Sequence, residues 1–181
     1  MLLYIEKVKV NPLAFENKVR EISSLLQVDP NWLMLVMFIE SSLDASRVNP
    51  MTGATGLIQF MPSTAVKLGT TLQALKSMSG VAQLDYVYKY LHPYKGKLKT
   101  YLDLYLAIFF PSHIGMPLDT TVQSSRLSAG LIAKQNKGYD LNKDGRITLE
   151  EISQVLTRRI PPSFAAAFEI LKKKDQRALL S

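Results

Sequence analysis

The chain has no cysteine in its 181 residues. Disulfides and thiol chemistry are therefore excluded, and nothing ties the protein to one redox compartment. Histidine is scarce: His92 and His113 stand alone, neither at ligand spacing, and both read as surface or packing residues. Long apolar runs are missing too, and none approaches the ~20 residues that span a bilayer. The opening MLLYIEKVKV has an early glutamate, no extended apolar stretch and no small-residue cleavage site, so it does not read as a secretory signal. Acidic residues are the minority, 15 against 22 Lys and Arg, for a net charge of +7. That balance favours an anionic partner: nucleic acid, a membrane surface or an acidic wall polymer. The bases are dispersed, apart from Lys172-Lys173-Lys174, which reads as a solvated helix end, so no nucleic-acid stripe stands out.

What is present is helical patterning. Hydrophobic content of 47% and charged content of 20% are ordinary for a globular chain. The length suits one domain, residues 1–181. Asn11-Pro12 and Asp29-Pro30 each pair an N-cap residue with proline at the first helical position. Further helices are expected near 63–68, 72–77, 81–91, 101–110, 121–134 and 151–158, with a last basic one after Pro161-Pro162. No run alternates with the period of a strand. The reading is an all-α domain of seven to nine helices with two information-rich loops.

The first loop follows an unusual helix end. WLMLVMFIE runs through eight apolar residues and closes on Glu40. A carboxylate at a helix C-terminus opposes the macrodipole, at a cost of roughly 0.3–1 kcal/mol when exposed. Desolvation by the preceding turn would raise its pKa and keep it protonated, as a general acid requires. The plainer reading is a glutamate where the helix meets water. The next residues decide between them: Glu40-Ser41, then Gly53-Ala54-Thr55-Gly56-Leu57-Ile58-Gln59, then Met61-Pro62-Ser63-Thr64-Ala65. Gly53 and Gly56 allow tight turning and close approach without Cβ interference, and Gln59 offers both a donor and an acceptor.

These segments resemble the signature of the lytic transglycosylases of the lysozyme-like superfamily. In that family a helix ends in Glu-Ser, and Gly-Ala-x-Gly-Leu-x-Gln and Met-Pro-x-Thr-Ala follow. The resemblance covers roughly residues 30–115. It implies an all-α fold of the goose-lysozyme and transglycosylase type, peptidoglycan glycan strands as substrate, Glu40 as the single acid/base, and Ser41, Gln59 and Met61 lining the site. The family's third segment, Ala-Tyr-Asn-Ala-Gly-like, is only loosely matched by LYLAIFFPSHIG, where Ala107 is in place but Ile108-Phe109 replace Tyr-Asn. Tyr105, Phe110 and Pro111 are then read as shaping the groove, with Tyr105 and Phe109 as helix core residues the competing view.

The mechanism implied needs one carboxyl where ordinary glycosidases use two. Glu40 protonates the oxygen between N-acetylmuramic acid and N-acetylglucosamine, and the acetamido group stabilises the cationic centre. Glu40 then acts as base on the C6 hydroxyl, closing a 1,6-anhydro ring. No second acid carries a motif; Asp44 is nearest, and Asp85 and Asp103 are expected on helix surfaces. A goose-type lysozyme, with water attacking and Asp44 helping, is the alternative, and a silent wall-binding module is another.

The second loop, DLNKDGRITLEE, follows the EF-hand pattern: Asp140, Asn142, Asp144, Gly145, Thr148 and Glu151 at positions one, three, five, six, nine and twelve, with the Arg146 carbonyl at seven. A structural Ca²⁺ is expected, as part of an EF-hand-like helix-loop-helix. Ile147, at position eight, is the residue that ordinarily pairs with a second hand, and the chain has no second hand. This argues against a Ca²⁺-responsive sensor. The other reading is a polar turn capping the next helix. No nucleic acid, no membrane span and no cofactor for catalysis are expected, and the protein is read as a monomer. It is expected to act in the periplasm or cell wall, as a phage virion or lysis protein or as an exported bacterial domain.

Overall fold

The computed structural model describes residues 1–165, and Lys172–Lys174 lie outside them. The chain forms two compact units, Met1–Leu98 and Lys99 onward. No strand occurs among the described residues; the only extended pairing is in isolated bridges. The fold class is all-α, as the patterning requires. No single helix among the described residues is long and apolar enough to cross a membrane.

The first unit is built around α2 (Pro30–Ser41). Trp32 through Met37 are all buried, which explains a run that is apolar on every face: the helix is enclosed. Asp29 caps it, its Oδ1 accepting the Asn31 N–H at 2.7 Å, with Pro30 at the first position. On one side lies α1 (Pro12–Leu26), whose buried Phe15, Val19, Ile22 and Leu26 form a single stripe; α1 also packs on α5 (Gly80–Leu91). The expected Asn11 cap is not formed. Asn11 is left-handed (φ 48°) and its side chain makes no cap bond, so Pro12 alone marks the start. Two short helices, α3 (Pro62–Lys67) and α4 (Leu72–Ser77), lie between. The N-terminal segment buries Leu2, Leu3, Ile5 and Val8, and Leu3 N–H donates to Asn31 Oδ1 at 2.9 Å.

The second unit opens with α6 (Tyr101–Phe109), buried from Tyr101 through Ala107. Asp103, expected on a helix surface, is buried instead. Its Oδ2 accepts from Lys99 N, Thr100 N and Thr100 Oγ1, and its Oδ1 from Gly115 N, so it closes a capping box and holds the next loop. A helix was expected from residue 121, but α7 spans only Ala129–Gln135, capped by Ser128. Thr121 instead bridges Thr148, because the β-branched Thr120-Thr121-Val122 prefer extended backbone. Helix α8 (Leu149–Arg158) follows, and the helix expected after Pro161 shows a 3₁₀ turn over Pro162–Phe164 within the described residues. His113 is buried, its Nδ1 3.0 Å from Ser112 Oγ, and His92 is exposed.

Candidate active site

Glu40 is the penultimate residue of α2 and is half-buried. The helix stops one residue later because Ser42 turns left-handed (φ 58°), its N–H returning to Met37 O and Phe38 O. Ser41 is fully buried. Its Oγ lies 2.9 Å from Met37 O and 3.0 Å from Leu57 O, sharing one proton between them. Its role is therefore to brace: it joins the turn that presents Glu40 to the glycine–glutamine loop.

That loop folds on itself. Thr55 and Phe60 exchange N–H···O bonds of 3.0 and 2.8 Å, and Gly56 N–H donates to Arg47 O at 2.8 Å. Gln59 sits in the left-handed region (φ 55°), a strained choice for a residue with a side chain. Its Nε2 donates to Gly56 O at 3.0 Å and reaches Arg47 O at 3.4 Å. Its side-chain nitrogen is thus spent on holding the loop. Met61 is 44% exposed just before α3.

A residue that sequence reasoning missed organises this region. Gln83 on α5 has no exposed surface, yet it is fully engaged: its Oε1 accepts Leu57 N–H, and its Nε2 donates to Ala45 O and Leu75 O at 2.9 Å. One side chain thus ties the loop after Glu40, the glycine–glutamine loop and α4 together. Gly56 makes room for it. A Cβ there would stand 2.4 Å from Gln83 Oε1, and the backbone is left-handed (φ +86°). The one available signal was a glutamine within an otherwise apolar stripe of α5.

The other acids of this unit have other work. Asp44 accepts from Ser46 N and Oγ; that hydroxyl, above all, holds its carboxyl below the ordinary range, with Lys9 and Arg47 adding to it. Asp85 is exposed and pairs with Lys18 at 3.0 Å.

In the second unit, Tyr105 is 3% exposed, and its hydroxyl bonds that of Tyr139. It is a core residue of α6, as the competing reading had it. Phe110 is half-buried at the end of α6, edge-on to Phe109.

The loop from Asp140 to Glu151 joins α7 to α8. Gly145 is left-handed (φ +80°), and its N–H donates to Asp140 Oδ2 at 3.1 Å. Asp144 N–H donates to Asn142 Oδ1 and Arg146 N–H to Asp144 Oδ1. Asp140 Oδ1 is buried and has no hydrogen-bond partner. A buried carboxylate oxygen left unpaired is costly unless a cation meets it, so this atom fits a hard metal ion. Glu151 is differently employed: Oε1 accepts from Leu141 N and Asn142 N, Oε2 from Thr148 N and Oγ1. Burial works to raise this carboxyl, but those donors outweigh it and hold it below its ordinary value. Among the described residues no three His, Cys, Asp or Glu side chains converge on one point. The oxygen set fits Ca²⁺ in kind, and Glu151 would have to turn from its capping bonds to ligate.

No curated protein and no solved structure matches the chain. Residues 18–103, which hold Glu40, the glycine–glutamine loop and Gln83, match the family model described as Transglycosylase SLT domain, and that segment is accordingly similar to peptidoglycan lytic transglycosylases.

Proposed function

We propose that the protein cleaves the β-1,4 bond between N-acetylmuramic acid and N-acetylglucosamine in peptidoglycan, with Glu40 as sole general acid and base and a 1,6-anhydro-muramoyl product. The observation that carries this reading is the bracing of the Glu40 turn against the glycine–glutamine loop through Ser41 Oγ and Leu57 O. Glu40 protonates the leaving oxygen, the substrate's acetamido group supports the positive centre, and the resulting carboxylate removes the C6 hydroxyl proton. A single-carboxyl scheme is supported by the engagement of Asp44, Asp85 and Asp103 elsewhere. The whole chain acts as one catalytic domain, and its place of action is the cell wall. Glu40→Gln should abolish clearing of purified walls while circular dichroism stays unchanged; retained clearing would sink the proposal. Mass spectrometry of the products separates the chemistry: anhydro-muropeptides support the transglycosylase, and reducing ends support a lysozyme-type hydrolase.

The unpaired Asp140 Oδ1 favours a second reading within the same protein. A structural Ca²⁺ is held by Asp140, Asn142, Asp144, the Arg146 carbonyl, Thr148 and Glu151. Its contribution is to tie α7 to α8, and no catalytic step passes through it.

A further inference from the structure

Behind α2 lies a groove that the proposed chemistry does not use. Its volume is about 620 Å³, within the range of pockets that enclose small ligands. Phe38 lines it and Glu40 does not. At about 100° per residue the two side chains stand about 160° apart around the helix, so the groove lies against the face of α2 opposite Glu40 and runs past Ser41 and Ser42 at the helix end. Its floor is apolar, formed by Val8, Phe15, Phe38 and Leu43. Its rim carries Lys7, Lys9 and Arg47, all exposed, against one acid, Asp44, whose Oδ1 accepts from Ser46 and whose charge Lys9 and Arg47 offset in part. None of the three cations forms an ion pair among the described residues, whereas Lys18 and Arg20 elsewhere in the unit do.

Three exposed cations against a single acid, around an apolar floor, suit a ligand carrying carboxylates and small apolar side chains on one short chain. Neither an uncharged sugar strand nor a purely apolar segment would use both features. We propose that this groove is a second binding site, for the acidic peptide arms that branch from the glycan strands. It rests on the proposed reading of the substrate. Holding a neighbouring arm on one side of α2 keeps the enzyme on the wall while Glu40 works on the other, so the gain is in effective concentration rather than in the chemical step.

The test uses the full-length Glu40→Gln protein, which avoids turnover, and isothermal titration with the tetrapeptide Ala-Glu-Ala-Ala and its neutral counterpart, amidated and with Gln for Glu. The acidic peptide should bind at least tenfold more tightly, and the preference should vanish in Lys7→Glu/Lys9→Glu and shrink with added salt. Equal affinity for the two peptides overturns the proposal, as does acidic-peptide binding that survives charge reversal. Tighter binding to anionic phospholipid vesicles than to the acidic peptide also overturns it, in favour of a membrane surface. In the otherwise wild-type enzyme, the same charge reversal should slow clearing of intact walls several-fold and leave cleavage of peptide-stripped strands unchanged. Loss on both substrates overturns the separation of the two sites. Wall clearing by the unaltered enzyme tests the catalytic reading separately from any of these results.

Discussion

Gln83 Oε1 accepts the Leu57 N–H at 2.5 Å, and the carbonyl of that same residue, Leu57, receives the Ser41 hydroxyl at 3.0 Å. A chain of two hydrogen bonds thus runs from the interior of α5 to the residue beside Glu40. Gln83→Met keeps the volume but strands the buried Leu57 N–H and takes the partner from Ala45 O, while Leu75 O still accepts the Met78 N–H. Each stranded group costs about 1–3 kcal/mol, partly offset by relaxation. Urea unfolding should show a loss of about 2–4 kcal/mol. At temperatures where the variant stays folded, kcat on walls should fall at least tenfold, because small misplacements of a catalytic group are expensive. A variant with wild-type turnover would leave Gln83 a purely structural residue.

Gly56 and Gly53 offer an internal comparison. Both are left-handed, but a Cβ at Gly53 meets nothing within 4 Å, whereas one at Gly56 collides with Gln83. Gly53→Ala should cost only the backbone strain, roughly 1–2 kcal/mol. Gly56→Ala should cost clearly more and lower activity with it. Equal melting temperatures for the two variants would contradict the close approach seen here.

Calcium is testable by its removal. If the Asp140 loop binds Ca²⁺, the ion at a hundredfold excess over its Kd should add about 2.7 kcal/mol to the stability of the folded state. Chelation should lower the melting temperature, and Asp140→Ala should abolish both the calorimetric binding signal and the thermal shift. A melting temperature indifferent to Ca²⁺ and to chelator would reduce the loop to a polar turn capping α8.

Alkaline pH should report on Tyr90. Burial, with a smaller contribution from Tyr94, pushes its hydroxyl up from 10.0 to about 12. Its folded-state pKa is raised, so its contribution to stability is complete below pH 10 and is lost as pH rises from 10 toward 12. Absorbance titration of the phenolates should lose one late-ionising group in Tyr90→Phe, and that variant should lose less stability over the same interval.

Much of this was legible in sequence, for identifiable reasons. Asp29-Pro30 fixed the start of α2 because cap and proline act locally. Glu40 and Gln59 stand out in the sequence because their spacing resembles a family pattern. Asp103 was not legible, since an acid near a helix start looks the same whether it faces water or folds back onto Thr100 and Gly115. Gln83 escaped because its three partners are backbone groups 8, 26 and 38 residues away, and backbone groups leave no mark on the sequence. The helix drawn across residues 121–128 failed for a related reason: the pairing of Thr121 with Thr148 lies 27 positions along the chain, beyond any local pattern.

That pairing has one more consequence. Val122 N–H donates to Ile147 O at 2.8 Å, and Leu149 N–H donates to Thr120 O at 3.0 Å. The stretch of Asp140–Glu151 that a lone hand would leave open as a sticky edge is thereby closed from within the same chain. A loop of the EF-hand pattern ordinarily pairs with a twin along that edge. Here Thr120, Thr121 and Val122 already fill that position, so this edge of the loop is paired within the chain itself.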